Sequence, residues 1–263
     1  MKNILIIGAN GFTGRRILND LSVNPIYHVT GCSLRDDICP GKDYRFVRTD
    51  IRDENEVRKL FKECRPDIVI NTSALSVPDY CETHHAEAEA TNVTAVETIA
   101  HVCEQYGSRF IHLSTDFVFD GKSTRLYKEE DEAIPVNYYG VTKLKAEKII
   151  ASICSNYAIV RVVVVYGKAL PGQHGNILQL VANRLRNGET IRVVSDQWRT
   201  PTFVGDISVG VEKLMFHTAN GIYHICGSEC LTIAEIAYRV ADFLKLDRSL
   251  IEPVTTEEMK EVT

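Results

Sequence analysis

Short apolar runs alternate with segments of helical periodicity through the first 167 residues. The runs ILIIG, YRFVRTD and DIVINTSA have the length and residue types of buried strands, and each precedes a stretch with helical spacing of apolar residues. The run VRVVVV is apolar on both faces, as is typical of a central strand covered by helices on each side. We therefore predict an α/β fold built on a doubly wound, parallel Rossmann-type sheet.

The alternation loosens after Gly167, where a loop rich in Gly and Pro is followed by a helix, a strand and a second loop, SDQWRTPT. Two further helices are predicted to start near Asp206 and Thr232. We predict a dinucleotide-binding domain over residues 1–167 and a smaller C-terminal substrate-binding lobe over residues 168–263. Part of this lobe is expected to return to the main sheet.

The composition argues against several classes of partner. The net charge of −5 gives no basic field for nucleic acid or an anionic membrane, and no apolar run approaches the roughly 18 residues that span a bilayer. The N-terminus lacks the pattern of a signal peptide, and none of the eight cysteines lies in a Cys-x-x-Cys pair. We expect a cytoplasmic protein with buried, reduced thiols. The string CETHH has no second cluster of matching spacing, so we expect no metal site.

A glycine-rich turn, GANGFTG, directly follows the first strand. In this position Gly8 permits a sharp turn, Gly11 allows close approach of a pyrophosphate, and Gly14 allows the helix to pack on the strand. Three glycines also occur in tight loops without a ligand, but the strand–turn–helix context favours dinucleotide binding. The predicted cofactor-binding residues of the turn are Gly8, Asn10, Gly11, Phe12, Thr13 and Gly14.

The end of the second predicted strand bears on the choice of cofactor. No carboxylate stands there to accept from a free ribose 2′-hydroxyl, whereas Ser33 and Arg35 suit a 2′-phosphate. Alternatively, Arg35 is a loop charge that pairs with Asp36 or Asp37. NADP(H) is favoured, and NAD(H) stays open. The residues predicted to line the adenine pocket, at the end of the third strand, are Asp50 and Ile51.

The string NYYGVTKLKAEK places Tyr139 and Lys143 four residues apart, on one face of a predicted helix. Tyr138 has no such partner, because Thr142 stands four residues after it. Taken alone, this pattern also fits the solvated face of an amphipathic helix.

The strings GANGFTG, HLSTDFVFDG, YYGVTK and SDQWRTPT, in this order, resemble the extended short-chain dehydrogenases. They are most similar to the dTDP-4-dehydrorhamnose reductase family of dTDP-rhamnose biosynthesis. The resemblance implies a catalytic triad of Thr115, Tyr139 and Lys143 and an NADP(H)-dependent reduction of the 4-keto group of a nucleotide-linked deoxy sugar. Tyr139 is the expected proton donor, and the Lys143 ammonium, together with the positive charge of the oxidised nicotinamide, is expected to lower the pKa of Tyr139. Thr115 is expected to hydrogen-bond the substrate carbonyl.

The resemblance implies further site residues. Asn92 resembles a structural asparagine that supports the active-site backbone, although a solvent-facing side chain is the alternative. Arg199 suits a diphosphate, or else is a surface loop cation. Beside Tyr139 and Lys143, the implied cofactor-flanking residues are Asn71, Ser73 and Ala74. The implied substrate-binding residues are Ser76, Asp79, Asp116, Phe117, Asn176, Gln197 and Arg199.

The chain departs from the family pattern after Arg161, where Val164 stands in place of an aromatic residue that would cover the sugar. The sugar, the nucleotide base and the oligomeric state stay open, a homodimer among the options. Two other functions remain as alternatives. One is a dinucleotide-binding regulatory subunit similar to that of methionine adenosyltransferase. The other is a nucleotide-sugar epimerase; dehydration is disfavoured because Phe117 rather than a Glu follows Asp116.

Overall fold

The computed structural model describes residues 1–40, 43–173 and 175–260, and its main element is a parallel sheet of seven strands. The described strands are β1 (Lys2–Ile7), β2 (Tyr27–Ser33), β3 (Arg45–Arg48), β4 (Ile68–Asn71), β5 (Arg109–Thr115), β6 (Tyr157–Val162), β7 (Val165–Tyr166), β8 (Ile191–Val194), β9 (Trp198–Arg199), β10 (Thr202–Phe203), β11 (Gly221–Ile225), β12 (Leu231–Thr232) and β13 (Ile251–Val254). The order across the large sheet is β11-β6-β5-β4-β1-β2-β3, with every neighbouring pair parallel. The predicted Rossmann-type fold class is confirmed. The direction in which successive strands are added to the sheet reverses between β1 and β4. Sheets of this kind bind ligands at such a point, at the carboxyl ends of the strands.

Helices connect these strands. The described α-helices are α1 (Phe12–Ser22), α2 (Glu54–Cys64), α3 (Pro78–Thr83), α4 (His85–Glu89), α5 (Ala95–Tyr106), α6 (Tyr138–Ile153), α7 (Ile177–Arg186), α8 (Val204–Met215), α9 (Ile233–Leu244) and α10 (Thr256–Lys260). Within the three described ranges, no helix is both long and apolar enough to cross a membrane.

The chain divides into two compact units, and neither is a continuous segment. The first unit comprises Met1–Val162 and Gly205–Ile225, so it contains the large sheet together with most of α8. The second unit comprises Val163–Val204 and the described residues from Cys226 onward. The first segment of the first unit thus ends at Val162 rather than at the predicted residue 167. The reason is that β6 completes its pairing with β11 at this point.

The core of the first unit forms where strands that are apolar on both faces meet the apolar stripes of helices. Leu5, Val69 and Phe110 of three adjacent strands are fully buried, and Phe61 of α2 packs into the same cluster. Helix α2 begins where the Asp53 carboxylate accepts hydrogen bonds from two backbone N–H groups of the first turn. Its buried residues recur at helical spacing, which sets the face that covers the sheet.

The second unit is built on two helices and short strand pairs. Helices α7 and α9 pack together through Val181, Leu185, Ala237 and Ala241. Each helix begins with a capping box, in which the N-cap side chain and the side chain three residues later satisfy backbone N–H groups reciprocally. The described strand pairs of this unit are β7–β10 and β8–β13, both parallel, and β9–β12, which is antiparallel.

The cysteines only partly follow the prediction of buried thiols. The four buried ones are Cys32, Cys81, Cys103 and Cys154, and their burial raises the pKa of each thiol. Cys226 and Cys230 are exposed instead, because they lie in the segment that leaves the end of β11 rather than in a strand or helix core.

Candidate functional site

The glycine turn is held by the backbone of neighbouring strands. The N–H groups of Gly8 and Ala9 both donate to the Cys32 carbonyl oxygen at 3.0 Å, and Gly8 has a φ of +81°. A Cβ atom on Gly14 would lie 2.3 Å from the Gly8 carbonyl oxygen, so a side chain there would clash with fixed backbone. Gly11 is exposed and is the N-cap residue of α1. The turn therefore requires glycine where the sequence predicted it, and it presents Gly11 at the amino end of an 11-residue helix.

The loop after β2 is tied to this turn through Asn10, whose amide donates to the carbonyl oxygens of Arg35 (3.2 Å) and Asp36 (2.8 Å). Arg35 itself is exposed. Asp37, one of the two proposed partners of Arg35, pairs instead with Arg15 at 2.5 Å. The alternative in which Arg35 is neutralised by Asp37 is therefore wrong.

Sequence reasoning missed Arg15, whose side chain is only 2% exposed. Its guanidinium donates to Tyr44 Oη (2.7 Å) and Asn10 Oδ1 (2.8 Å) as well as to Asp37. One feature of the sequence could have indicated that Arg15 is buried. It lies three residues before Leu18, and this spacing puts both residues on the buried face of α1. Arg15 organises the segment that follows β2, next to the predicted 2′-phosphate site.

The residues predicted for the adenine pocket follow β3. The Asp50 carboxylate pairs with the Arg52 guanidinium at 2.7 Å, and this hydrogen bond is the main reason that the pKa of Asp50 is below its ordinary value. Ile51 is half-buried and packs against the core of the first unit. Their roles toward a cofactor stay predictions.

Asn71 is the last residue of β4, and Ser73 and Ala74 follow it in the chain. The Asn71 side chain is fully buried, and its Oδ1 accepts from the Ser73 backbone N–H (3.0 Å) and hydroxyl (2.6 Å). Its Nδ2 lies 3.2 Å from His112 Nδ1 on β5. The Asn71 side chain thus orients Ser73, which like Ala74 is half-buried, and the cofactor-flanking role of the three residues stays a prediction.

Asn92 lies in a π-helical turn, Ala90–Thr94, that interrupts the helical segment between α4 and α5. Its side chain accepts from Leu75 N–H (2.8 Å) and donates to the Leu75 carbonyl oxygen (3.0 Å) and to Thr142 Oγ1 (3.0 Å). The predicted support of the backbone after β4 is confirmed, and the solvent-facing alternative is wrong. The sequence pattern indicated one regular helix here and did not reveal the π turn.

Thr115, Tyr139 and Lys143 are all buried at the junction of β5 and α6. Thr115 ends β5, and its hydroxyl donates to Asp116 Oδ1 and accepts from the Phe117 N–H, both at 3.2 Å. Lys143 is 1% exposed, and its Nζ lies 2.7 Å from the Leu113 carbonyl oxygen and 2.9 Å from His112 Nε2. The alternative of a solvated helix face is therefore wrong for Tyr139 and Lys143.

The pKa values of Tyr139 and Lys143 are both shifted from their ordinary values in this structure. Burial raises the pKa of Tyr139, the Asp116 carboxylate raises it further, and the polar Thr115 hydroxyl only partly opposes them. In this structure the pKa of Tyr139 is thus raised rather than lowered, because burial has the largest effect. Burial also lowers the pKa of Lys143 to about 8, against the attraction of the Glu147 carboxylate. Tyr139 therefore holds its proton firmly at neutral pH.

Tyr138 has a different environment. Its hydroxyl donates to the Glu89 carboxylate at 2.8 Å, and its ring stacks on His85 with centroids 3.7 Å apart. Next to Tyr139, a Cβ atom on Gly140 would lie 2.2 Å from the Phe117 carbonyl oxygen, which explains the glycine in YYG.

Four residues predicted to bind substrate lie in the first unit. Asp116 and Phe117 form the 3₁₀ turn directly after Thr115, and the Phe117 ring meets that of Tyr139 edge-on at 5.9 Å. Ser76 and Asp79 are exposed, in the segment after β4 and in α3 respectively. The structure thus brings Asp116 and Phe117 to the Thr115–Tyr139 pair.

The other three lie in the second unit. Asn176 is the N-cap of α7, and its amide also donates to the Gly167 carbonyl oxygen at 2.8 Å. Gln197 Nε2 donates to Thr256 Oγ1 at 3.0 Å, and Arg199 Nη2 lies 3.5 Å from Gln197 Oε1. Trp198 is 63% exposed and precedes Arg199 in β9, so the two side chains point to opposite faces of the strand.

Val164 is a backbone outlier in the second unit. Its φ is +38°, a conformation that a β-branched residue rarely adopts. Two hydrogen bonds from Thr202 hold the turn, one from its N–H to the Val164 carbonyl oxygen (3.2 Å) and one from its hydroxyl to the Val163 carbonyl oxygen (2.7 Å). The residue that departs from the family's aromatic is thus also a strained one.

The parallel sheet, the G-x-x-G-x-x-G turn and the buried Thr115, Tyr139 and Lys143 define an extended short-chain dehydrogenase/reductase. The profile of the family described as RmlD substrate binding domain matches residues 1–262. The chain belongs to this family, and the predicted resemblance to dTDP-4-dehydrorhamnose reductases is confirmed.

Individual relatives agree with this assignment. A probable low-salt glycan biosynthesis reductase of Haloferax volcanii is 31% identical over 94% of this chain and 82% of its own length. The methionine adenosyltransferase 2 subunit beta of Xenopus laevis is 31% identical over 97% of this chain and 76% of its own. Among solved structures, dTDP-4-dehydrorhamnose reductase from Bacillus anthracis, in complex with NADP, superposes with a TM-score of 0.87 at 27% identity, covering 98% of this chain and 86% of that one.

Proposed function

We propose that this protein is an NADP(H)-dependent reductase that reduces the 4-keto group of a nucleotide-linked deoxy sugar. The observation that carries the proposal is the burial of Thr115, at the carboxyl end of β5, together with Tyr139 and Lys143, one helical turn apart on α6. Membership of the RmlD substrate binding domain family supports an oxidoreductase. The Bacillus anthracis dTDP-4-dehydrorhamnose reductase, solved with NADP, supports the cofactor and the class of substrate.

The glycine turn fits the pyrophosphate of a dinucleotide. Gly11 is exposed at the amino end of α1, and the close packing of Gly8 and Gly14 keeps the turn rigid. Ser33, the last residue of β2, and Arg35, two residues later, would hold a 2′-phosphate. Nicotinamide supplies the hydride when the cofactor is bound.

The remaining chemistry belongs to the side chains at β5 and α6. Reduction of a ketone needs a proton at the carbonyl oxygen, and Tyr139 keeps one at neutral pH because its pKa is raised. The Thr115 hydroxyl orients the same oxygen. An ammonium at Lys143 favours the tyrosinate that remains after proton transfer.

Replacing Arg35 with alanine is expected to weaken binding of NADPH and leave binding of NADH unchanged, because only NADPH carries the 2′-phosphate. The wild-type preference should be modest, since an exposed guanidinium–phosphate contact is screened by salt. Kd values for both reduced cofactors, measured by fluorescence titration, test this. Arg58→Ala, which breaks an exposed pair with Glu54 on α2, is the matched control. Equal affinities for both cofactors, unchanged in Arg35→Ala, would contradict the assignment.

Replacing Arg199 with alanine is expected to raise KM for the nucleotide sugar about tenfold, as the loss of one charged hydrogen bond implies, with the Kd for NADPH unchanged. The assay uses 4-keto sugars linked to dTDP, UDP, GDP and CDP, with NADPH consumption as the readout. Arg239→Ala, which removes a cation paired with Glu229 in the same unit, serves as the control. Equally efficient reduction of ketones that lack a nucleotide would disprove the proposed substrate class.

A dinucleotide-binding regulatory subunit is the second candidate, favoured by the 31% identity to the Xenopus laevis methionine adenosyltransferase subunit over nearly the whole chain. A binding role is compatible with an intact triad, so the residues alone do not separate the two functions. Pull-down with a methionine adenosyltransferase catalytic subunit, set beside the keto-sugar assay, separates them. Complex formation without turnover of any sugar nucleotide would favour the regulatory role.

A further inference from the structure

A chain of hydrogen-bonding groups runs through the interior of the first unit from the end of β4 to α6. It links Ser73 to Asn71, Asn71 to His112 across β4 and β5, and His112 to Lys143. Asn71 and His112 are fully buried, and Lys143 is 1% exposed. Because water does not reach these groups, each polar atom must find its partner within the chain.

The direction of the first link is fixed by the backbone. The Ser73 N–H can only donate, so the Asn71 atom that lies 3.0 Å from it must be the amide oxygen. The Ser73 hydroxyl donates to the same oxygen at 2.6 Å. The amide NH₂ of Asn71 therefore faces His112 Nδ1 at 3.2 Å and donates to it.

This donation selects the tautomer of His112. The pKa of His112 is well below its ordinary value because of burial and of the Lys143 charge, so the ring is neutral. A neutral imidazole has one N–H and one lone pair. Since Nδ1 accepts from Asn71 in this arrangement, the arrangement places the proton on Nε2, opposite a Lys143 amine.

We propose that Asn71 and His112 together set the charge of Lys143, because His112 Nε2–H donates to Lys143 Nζ and so favours the amine over the ammonium. The two nitrogens are 2.9 Å apart, and only the amine has a lone pair that accepts this proton. Protonating Lys143 requires His112 to present a lone pair at Nε2 instead. The imidazole proton would then move to Nδ1. There it would face the NH₂ group of Asn71, so that two hydrogen-bond donors would oppose each other without an acceptor.

The other groups around Lys143 differ in which protonation state of Lys143 they favour. The Leu113 carbonyl oxygen accepts from Nζ in either protonation state. The Glu147 carboxylate, on the same helix, favours the ammonium, but it is itself paired with the Arg161 guanidinium of β6 at 2.7 Å. Tyr139 lies one helical turn before Lys143 on α6, and Asp116 directly follows β5. His112 is thus the neighbour whose hydrogen bond discriminates between the two states of Lys143.

For catalysis the consequence is an alkaline limit, and this step rests on the proposed function. The ammonium is present below the pKa of Lys143, about 8, and is lost as the pH rises through it. Its support for the Tyr139 tyrosinate is lost over the same range. Asn71 and His112 are therefore positioning residues that act on Lys143 rather than on substrate.

The substitution Asn71→Asp reverses the tautomer. One carboxylate oxygen accepts from the Ser73 N–H as before, and the other now accepts from His112, which forces the proton onto Nδ1. Nε2 then accepts from the Lys143 ammonium, so the His112–Lys143 pair should hold its proton to higher pH, by about one unit or more. Ser73→Ala is the matched control, because it removes the hydroxyl but keeps the backbone N–H that orients Asn71.

The direct readout is NMR of protein labelled with ¹⁵N at histidine and lysine, recorded as a pH series. In wild type well above pH 8, we expect His112 to carry its proton on Nε2. The proton should move to Nδ1 as Lys143 titrates. Asn71→Asp should show Nδ1–H throughout, whereas Ser73→Ala should keep the wild-type tautomer. An Nδ1 proton on His112 in wild type at high pH would overturn the proposal without any variant.

The kinetic readout is the alkaline limb of kcat/KM for NADPH-dependent ketone reduction. It should move to higher pH in Asn71→Asp. An unshifted limb and an unchanged Lys143 titration in Asn71→Asp would also overturn the proposal. Because the NMR series needs no substrate, failure of the proposed reductase activity would leave the tautomer measurement intact, and the two failures are distinguishable.

Discussion

Tyr139→Phe is expected to lower kcat for keto-sugar reduction by about 10² or more, the usual contribution of a positioned proton donor. The substitution removes only the Tyr139 hydroxyl and leaves the ring among its apolar neighbours Cys81, Ala88 and Phe117. The fold and the Kd for NADPH should therefore be little changed. Single-turnover kinetics at saturating NADPH, with the Kd measured separately, distinguish lost proton transfer from lost binding.

Tyr138→Phe is the matched control for this experiment. It removes a hydroxyl from the adjacent residue, where the lost partner is the half-exposed Glu89 carboxylate. We expect kcat to fall by less than about threefold, because no proton-transfer step is removed. Near-normal turnover of Tyr139→Phe, or equal losses in the two variants, would show that Tyr139 is not the proton donor.

Arg161→Met is expected to destabilise the first unit by about 3–5 kcal/mol, the typical effect of removing one partner from a buried ion pair. Arg161 and Glu147 are 4% and 3% exposed, and two guanidinium nitrogens of Arg161 bond the two carboxylate oxygens at 3.0 and 2.7 Å. Ser114 donates to the same carboxylate at 2.5 Å. Without the guanidinium, the buried Glu147 carboxylate loses two hydrogen bonds and the countercharge paired with it, and it keeps the hydrogen bond from Ser114. Urea unfolding followed by circular dichroism measures the loss.

Two comparisons separate this effect from a general cost of mutation. The double variant Glu147→Met/Arg161→Met should recover much of the stability, since no buried charge is then left without its partner. Arg58→Met, which breaks the exposed pair with Glu54, should cost far less because solvent screens both charges. A double variant less stable than Arg161→Met alone would mean that the pair contributes through packing rather than charge.

The parts of the molecule that could be predicted from the sequence are those encoded over short distances along the chain. The ILII run followed by glycines at spacing three was sufficient for the first strand, the turn and α1, because each requirement is met by neighbouring residues. The spacing of Tyr139 and Lys143 likewise placed both on one face of α6.

Interactions between distant segments account for what the sequence did not reveal. Asn71 and His112 are 41 residues apart and meet only because β4 and β5 pair in register. Arg15 looks like a surface cation until the loop after β2 folds over it. The raised pKa of Tyr139 was also inaccessible, since it depends on burial by apolar side chains from several segments.

The pairing of β6 with β11 limits how this protein can be divided in the laboratory. A fragment cut after Val162, close to the boundary that sequence patterns suggest, would lack Gly205–Ile225 and with it β11. The backbone groups of β6 that pair with β11 would then form an open sheet edge, which invites association between fragments. Arg109 would lose the Leu214 carbonyl oxygen that its guanidinium contacts at 2.8 Å. A minimal expression fragment of the first unit must therefore splice Val162 to Gly205 through a short linker and end after Ile225.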